Sequence, residues 1–139
     1  MSDSISCPFC SLDDTRIIKF NTHALAIFDG FPVSPGHALI IPRRHIASLF
    51  QATREEQMAL FDLLAEVRQL LLDPTPSPIN QGRGLQLPDG FNIGINDGDA
   101  AGQTVMHLHI HLIPRYTGDQ PDPRGGVRWI FPDKAAYWN

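Results

Sequence analysis

Three histidines stand at alternate positions: His107, His109 and His111, separated by Leu108 and Ile110 and followed by Leu112. An extended chain turns successive side chains to opposite faces. A strand over Val105–Arg115 (VMHLHIHLIPR) would therefore line three imidazoles on one face and send the aliphatic residues to a core. A helix would scatter them. By spacing alone such a row serves three readings: catalysis, a metal-binding comb, or surface histidines of no common purpose.

The approach to this segment narrows the chemistry. Asn96-Asp97-Gly98-Asp99-Ala100-Ala101-Gly102-Gln103-Thr104 is rich in small residues and in amide and hydroxyl donors. Small residues let backbone N–H groups come close to an anion, and Asn96, Gln103 and Thr104 add side-chain donors. Phosphoryl chemistry requires such fixed dipoles around a nucleophile. Imidazole is substantially neutral at pH 7, so it can attack phosphorus without a strong base while a second imidazole protonates the leaving atom. No metal is needed for that step.

The elements that must position these groups are legible along the chain. Short β-like runs stand at Arg16–Phe20, His23–Phe28 and His37–Ile41, divided by turn residues and closed by Pro42. Thr53 and Glu56 form a capping-box pattern, and Leu60, Leu64, Val67 and Leu71 follow at helical spacing, with Glu55, Asp62, Glu66, Gln69 and Asp73 on a polar face. This predicts one amphipathic helix over residues 54–72, stopped by Pro74. Residues 74–90 read as a long exposed loop, a lid or a disordered segment. Phe91–Asn96 reads as a further strand. The tail, residues 116–139, is too rich in proline for the sequence to predict regular elements.

The 139 residues suggest a single domain, with no internal repeat. A net charge of −4 offers no broad positive field for nucleic acid. No apolar run approaches the roughly 20 residues that span a bilayer, and the first residues carry no secretory pattern, so a cytoplasmic location is the expectation. Cys7 and Cys10 form a C-x-x-C, which alone is ambiguous between metal binding, redox chemistry and neither.

The motif His-φ-His-φ-His-φ-φ, complete here from His107 to Ile113, resembles that of the histidine-triad (HIT) superfamily. The resemblance extends to Cys-Pro-Phe-Cys at 7–10, Ala26–Asp29, Pro35–Pro42, Arg44–Ile46 and Asn96–Arg115, about residues 7–115 in order. Ala101–Val105 and Ile113–Arg115 look closer to the Fhit-like branch than to the Hint branch.

The resemblance implies an α+β fold, with an antiparallel sheet of about five strands, one main helix, and the sheet extended across a homodimer. It implies that His109 is the nucleophile, that His107 helps orient it, and that His111 meets the phosphate and leaving group. Asn96, Gln103 and Thr104 would hold phosphate oxygens. Asp29 would meet the ribose hydroxyls, although the residues alone favour a turn role before Gly30. Phe9 and Leu12 would lie beside the base or be plain core. Cys7, Cys10, His45 and His107 would form a structural Zn2+ site.

The implied activity is hydrolysis at the α-phosphate of a nucleotide derivative, with dinucleoside polyphosphates or nucleoside phosphoramidates as substrates and adenine as the expected base. Three rivals stand beside it: a nucleotidyl transferase, a nucleotide-binding scaffold with residual activity, and a metalloenzyme built on the histidine comb. His37 is expected to support structure and His23 to face solvent. Arg124, Arg128 and Trp129 could reach a leaving group by charge and stacking.

Overall fold

The computed structural model describes residues 6–75, 77 and 86–138. Its strands are β1 (Ile17–Phe20), β2 (Ala24–Phe28), β3 (Ala38–Pro42), β4 (Gly90–Gly94) and β5 (Ile110–Arg115). They form one antiparallel sheet in the order β1-β2-β3-β5-β4. The helix α1 (Arg54–Leu72) packs on one face. This is the expected α+β arrangement.

The two faces follow from alternation. Ala24, Ala26, Ala38, Ile40, Ile110 and Leu112 turn towards α1, which answers with Leu60, Leu63, Val67 and Leu71, all fully buried. Leu63 takes the buried position that the sequence assigns to Leu64, which is only half-buried. Burying each of these side chains contributes about 1.5–3 kcal/mol. Leu25, Ile27, Leu39 and Ile41 point the other way, and Phe9, Leu12 and Ile17 pack over them. Leu39 is the cross-strand partner of His111, so His111 belongs to this second face, away from the helix.

The start of α1 is built as its sequence promises. Thr53 accepts from the Glu56 N–H at 3.1 Å, and Glu56 accepts from the Thr53 N–H at 2.8 Å. Glu56 is 5% exposed and also holds Arg44 through two bonds of 3.1 and 2.8 Å. Arg44 and the cap together hold its carboxyl down to about 2. A lowered native value stabilises the fold above the unfolded carboxylate range, and that contribution is lost as pH falls through about 2. Glu56→Gln keeps a capping side chain but removes the charge. It should cost about 1–2 kcal/mol at pH 7, with the gap to wild type closing between about pH 4.5 and 2. Urea unfolding of both proteins across that range checks it.

Two expectations are corrected. The strand expected over Val105–Arg115 begins only at Ile110. The β3–β5 ladder ends at the pair Ile40–Ile110, because β3 stops two residues later at Pro42, which has no N–H to continue it. Residues 105–109 run on without strand pairing, pinned by the Leu108 N–H to Ile46 O at 2.7 Å. The tail is not irregular either: a 3-10 helix spans Gly126–Ile130 and a short helix α2 spans Pro132–Ala135. Most of the loop expected at 74–90 lies outside the described residues. No helix among the described residues is long and apolar enough to cross a membrane.

Candidate active site and metal cluster

The three histidines are carried by two kinds of backbone. His111 lies in β5, while His107 and His109 lie on the lead-in segment. Their rings nevertheless remain neighbours. His109 and His111 have centroids 5.2 Å apart, and Phe9 sits edge-on to His109 at 5.1 Å and to His107 at 5.9 Å. His107 is fully buried, whereas His109 and His111 are partly open.

Hydrogen bonds fix which ring nitrogens carry protons. The His109 Nδ1 lies 2.8 Å from the His107 carbonyl oxygen, which can only accept, so Nδ1–H donates and Nε2 keeps its lone pair. It is the His107 backbone, not its ring, that orients His109. On the other side, the Val33 N–H donates to His37 Nδ1 at 3.1 Å. His37 Nε2–H then faces His111 Nδ1 at 2.9 Å, which leaves the proton of His111 on Nε2. Burial, and then His109, push His111 down to about 4; burial also lowers His37, against the pull of Asp29. Both rings are neutral at pH 7. The site thus sets a lone-pair nitrogen on His109 beside an N–H donor on His111.

The fourth histidine, His37, is 3% exposed and also lies 3.4 Å from Asp29 Oδ2. Asp29 Oδ1 accepts from the Phe31 N–H at 2.8 Å, an Asx turn, so the turn reading of this residue holds in the structure. Its position near His111 places a carboxylate at the edge of the site. The sequence expects His37 to support structure; its bond to His111 shows which residue it supports.

The donor loop divides. Asn96 and Thr104 are exposed. Gln103 is buried and spent on backbone: its Oε1 accepts from the Gly98 N–H at 2.8 Å, and its Nε2 donates to Ala47 O and Val105 O at 2.9 and 3.1 Å. Its amide shapes the loop and has no donor left for a phosphate. Phe9 and Leu12 pack over the second sheet face as core, and the Phe9 ring also lies edge-on to His109.

His107 faces a separate constellation. Its Nε2–H donates to Pro42 O at 2.8 Å, so its Nδ1 carries a lone pair. That buried nitrogen lies 3.4 Å from Cys7 Sγ, 3.5 Å from Cys10 Sγ and 3.2 Å from His45 Nδ1; Cys10 Sγ and His45 Nδ1 are 3.2 Å apart. Both cysteines are free. A tetrahedral zinc with bonds of about 2.3 Å to sulfur and 2.0–2.1 Å to nitrogen has S–N edges of about 3.5 Å and N–N edges of about 3.3 Å. The distances from His107 Nδ1 to the other three donors match those edges, Cys10 and His45 stand slightly closer together, and all four donor atoms lie within 4.8 Å of one another. A carbonyl accepts from the far nitrogen of the His107 ring, as is usual for metal-bound imidazoles. The donor set fits zinc.

Comparison with known proteins agrees with this geometry. A model of the HIT domain matches residues 12–118. A HIT-like protein of Mycobacterium tuberculosis is 38% identical over 119 residues, 82% of this chain and 74% of that protein. The structure of a Zn-bound histidine triad family protein from Mycobacterium smegmatis is similar with a TM-score of 0.61 and 33% identity, covering 86% of each chain. That of a hypothetical histidine triad nucleotide-binding protein from Sulfolobus tokodaii gives 0.65 and 31%, covering 84% of this chain and 73% of that one.

Proposed function

Because this chain belongs to the HIT family, we propose that it cleaves nucleotide derivatives at the α-phosphate through a covalent nucleotidyl-His109 intermediate. The observation that carries this reading is the pair of opposite tautomers, with a lone pair at His109 Nε2 and a proton at His111 Nε2.

The residues act as follows. His109 Nε2 attacks the α-phosphorus, forming a P–N bond while the bond from phosphorus to the leaving atom breaks. His111 Nε2–H donates a hydrogen bond to that atom and stabilises the charge developing on it; a leaving phosphate departs as its stable anion, and a leaving amine takes its proton from water. Water then attacks the same phosphorus, its proton passes to bulk solvent, and the P–N bond returns its electrons to His109. Asn96, Thr104 and nearby backbone N–H groups hold the equatorial oxygens, and Gln103 shapes their loop. His37 keeps His111 in the required tautomer. Asp29 receives the ribose hydroxyls, and Phe9 and Leu12 flank the base.

Zinc fits as a structural partner. Held by Cys7, Cys10, His45 and His107, it would tie the N-terminal segment to the histidine lead-in and give no step of the reaction. Substrates of this reading are dinucleoside polyphosphates and nucleoside phosphoramidates, and a homodimer is the expected assembly. Rapid quenching into acid-free denaturant followed by mass spectrometry should find one nucleoside monophosphate on a peptide containing His109. Substrate turnover with no such adduct, in a time window where product accumulates linearly, would remove the covalent mechanism. If the adduct passes to an added phosphate or sugar phosphate faster than to water, the protein is a transferase with the same first step.

A further inference from the structure

The histidine face of β5 does not end at His111. Ile113 continues it one pleat repeat further on, about 6.6 Å beyond His111, and its cross-strand partner Asn92 shares that face. Above them lies a cavity of about 750 Å³, within the range of small-molecule sites. The hairpin tip at Val33–Pro35 forms one wall, and the tail from Tyr116 to Trp129 forms the other. Most of that tail lies past residue 118, where the match to the HIT domain stops.

The walls are fixed. Tyr116 Oη donates to Pro35 O, and Ser34 Oγ donates to Pro114 O, each at 2.7 Å, so the hairpin tip is tied to the end of β5. The tail is folded on itself: Arg128 donates to Ala135 O and Lys134 O at 2.9 and 2.8 Å and lies over Tyr137, while Arg124 lies over Trp138. A Cβ at Gly125, where φ is +91°, would strike the Trp138 ring at 2.9 Å, and one at Gly126 would meet the Asn92 amide at 3.0 Å. Glycine lets the tail lie this close. Trp129 anchors its Nε1–H on Arg124 O at 2.7 Å and remains 42% exposed at the cavity.

The charge of the lining selects the ligand. Its one cation, Arg115, is clamped by Asp119 at 2.8 and 2.7 Å and by Asn92 Oδ1 at 2.7 Å. Asp119 and Asp122 are each held at about 2 by an arginine beside them, so both stay ionised. A phosphate would meet two carboxylates and no free guanidinium. An uncharged planar ring would meet Trp129, Ile113 and prolines, with the Gln120 amide at hand for its polar edge.

Resting on the nucleotide-cleaving reading above, we infer that this tail-walled cavity is a second subsite, which takes the base of the distal nucleoside of a dinucleoside polyphosphate. Arg124 and Arg128, committed within the tail, hold the wall; Trp129 meets the ligand.

Two measurements test it. A dinucleoside tetraphosphate should show kcat/KM at least tenfold above a nucleoside tetraphosphate, chiefly through KM. Trp129→Ala should remove that ratio and leave the nucleoside tetraphosphate unchanged. A wild-type ratio near one, or a ratio that survives Trp129→Ala, overturns the subsite. Adenosine should also change the tryptophan fluorescence of the wild type saturably, and not that of Trp129→Phe; inorganic triphosphate should have no such effect. If neither substrate turns over, the catalytic reading has failed by itself, and the fluorescence titration decides the subsite: no saturable adenosine signal refutes it, as does an equal response to triphosphate.

Discussion

His109→Ala should lose at least about 10⁴-fold in kcat/KM on any nucleotide substrate while leaving mononucleotide affinity within a few-fold of wild type. The size follows from what is removed. No other ring in the site combines an unprotonated nitrogen with an open position: His107 turns its lone pair into the cysteine cluster, and His111 turns its own towards His37. Water would have to attack directly in place of His109, unassisted by a covalent intermediate. The fold should survive, since His109 is only partly buried and its Nδ1–H bonds to a neighbouring backbone oxygen. Single-turnover rates and a mononucleotide titration of the same preparation separate chemistry from binding. A variant that keeps a tenth of the wild-type rate would mean that the middle histidine is not the nucleophile.

Much of this site was legible in the sequence because it is local. Alternation placed the imidazoles together, the Thr53–Glu56 box placed the start of α1 to the residue, and the β1–β3 meander was visible between its turns. What the sequence hid is set by contacts across the chain. The strand expected from Val105 starts at Ile110 because of a proline in its neighbour, which no reading of residues 105–115 alone contains. Gln103 reads as a phosphate donor by type, yet its amide is consumed by Gly98, Ala47 and Val105. His37 gains its place from a partner 74 positions away. The tail's helices rest on arginine-to-carbonyl bonds and ring contacts that have no periodicity to detect.

Loss of the metal should be the largest stability effect in this chain. Protein purified without a polyhistidine tag should carry about one zinc per chain, and Cys7→Ser/Cys10→Ser should carry none, with a melting temperature lower by about 10 °C or more. The geometry explains the magnitude. Without a cation, two thiols and two imidazole lone pairs converge within 4.8 Å with His107 and Cys7 buried, and each must find a proton or a strained partner. A bound cation would fasten Cys7 and Cys10 to His45 and His107 and so hold Phe9 over His109. The effect on chemistry should be secondary: at temperatures where both proteins are folded, kcat of the double variant should fall less than tenfold, with the greater change in KM through Phe9 and Leu12. Elemental analysis and paired melting curves, with and without a chelator, measure this. A wild-type protein that binds no zinc when supplied with it, or that melts at an unchanged temperature when stripped, would show that the four donors are an ordinary hydrogen-bonded cluster.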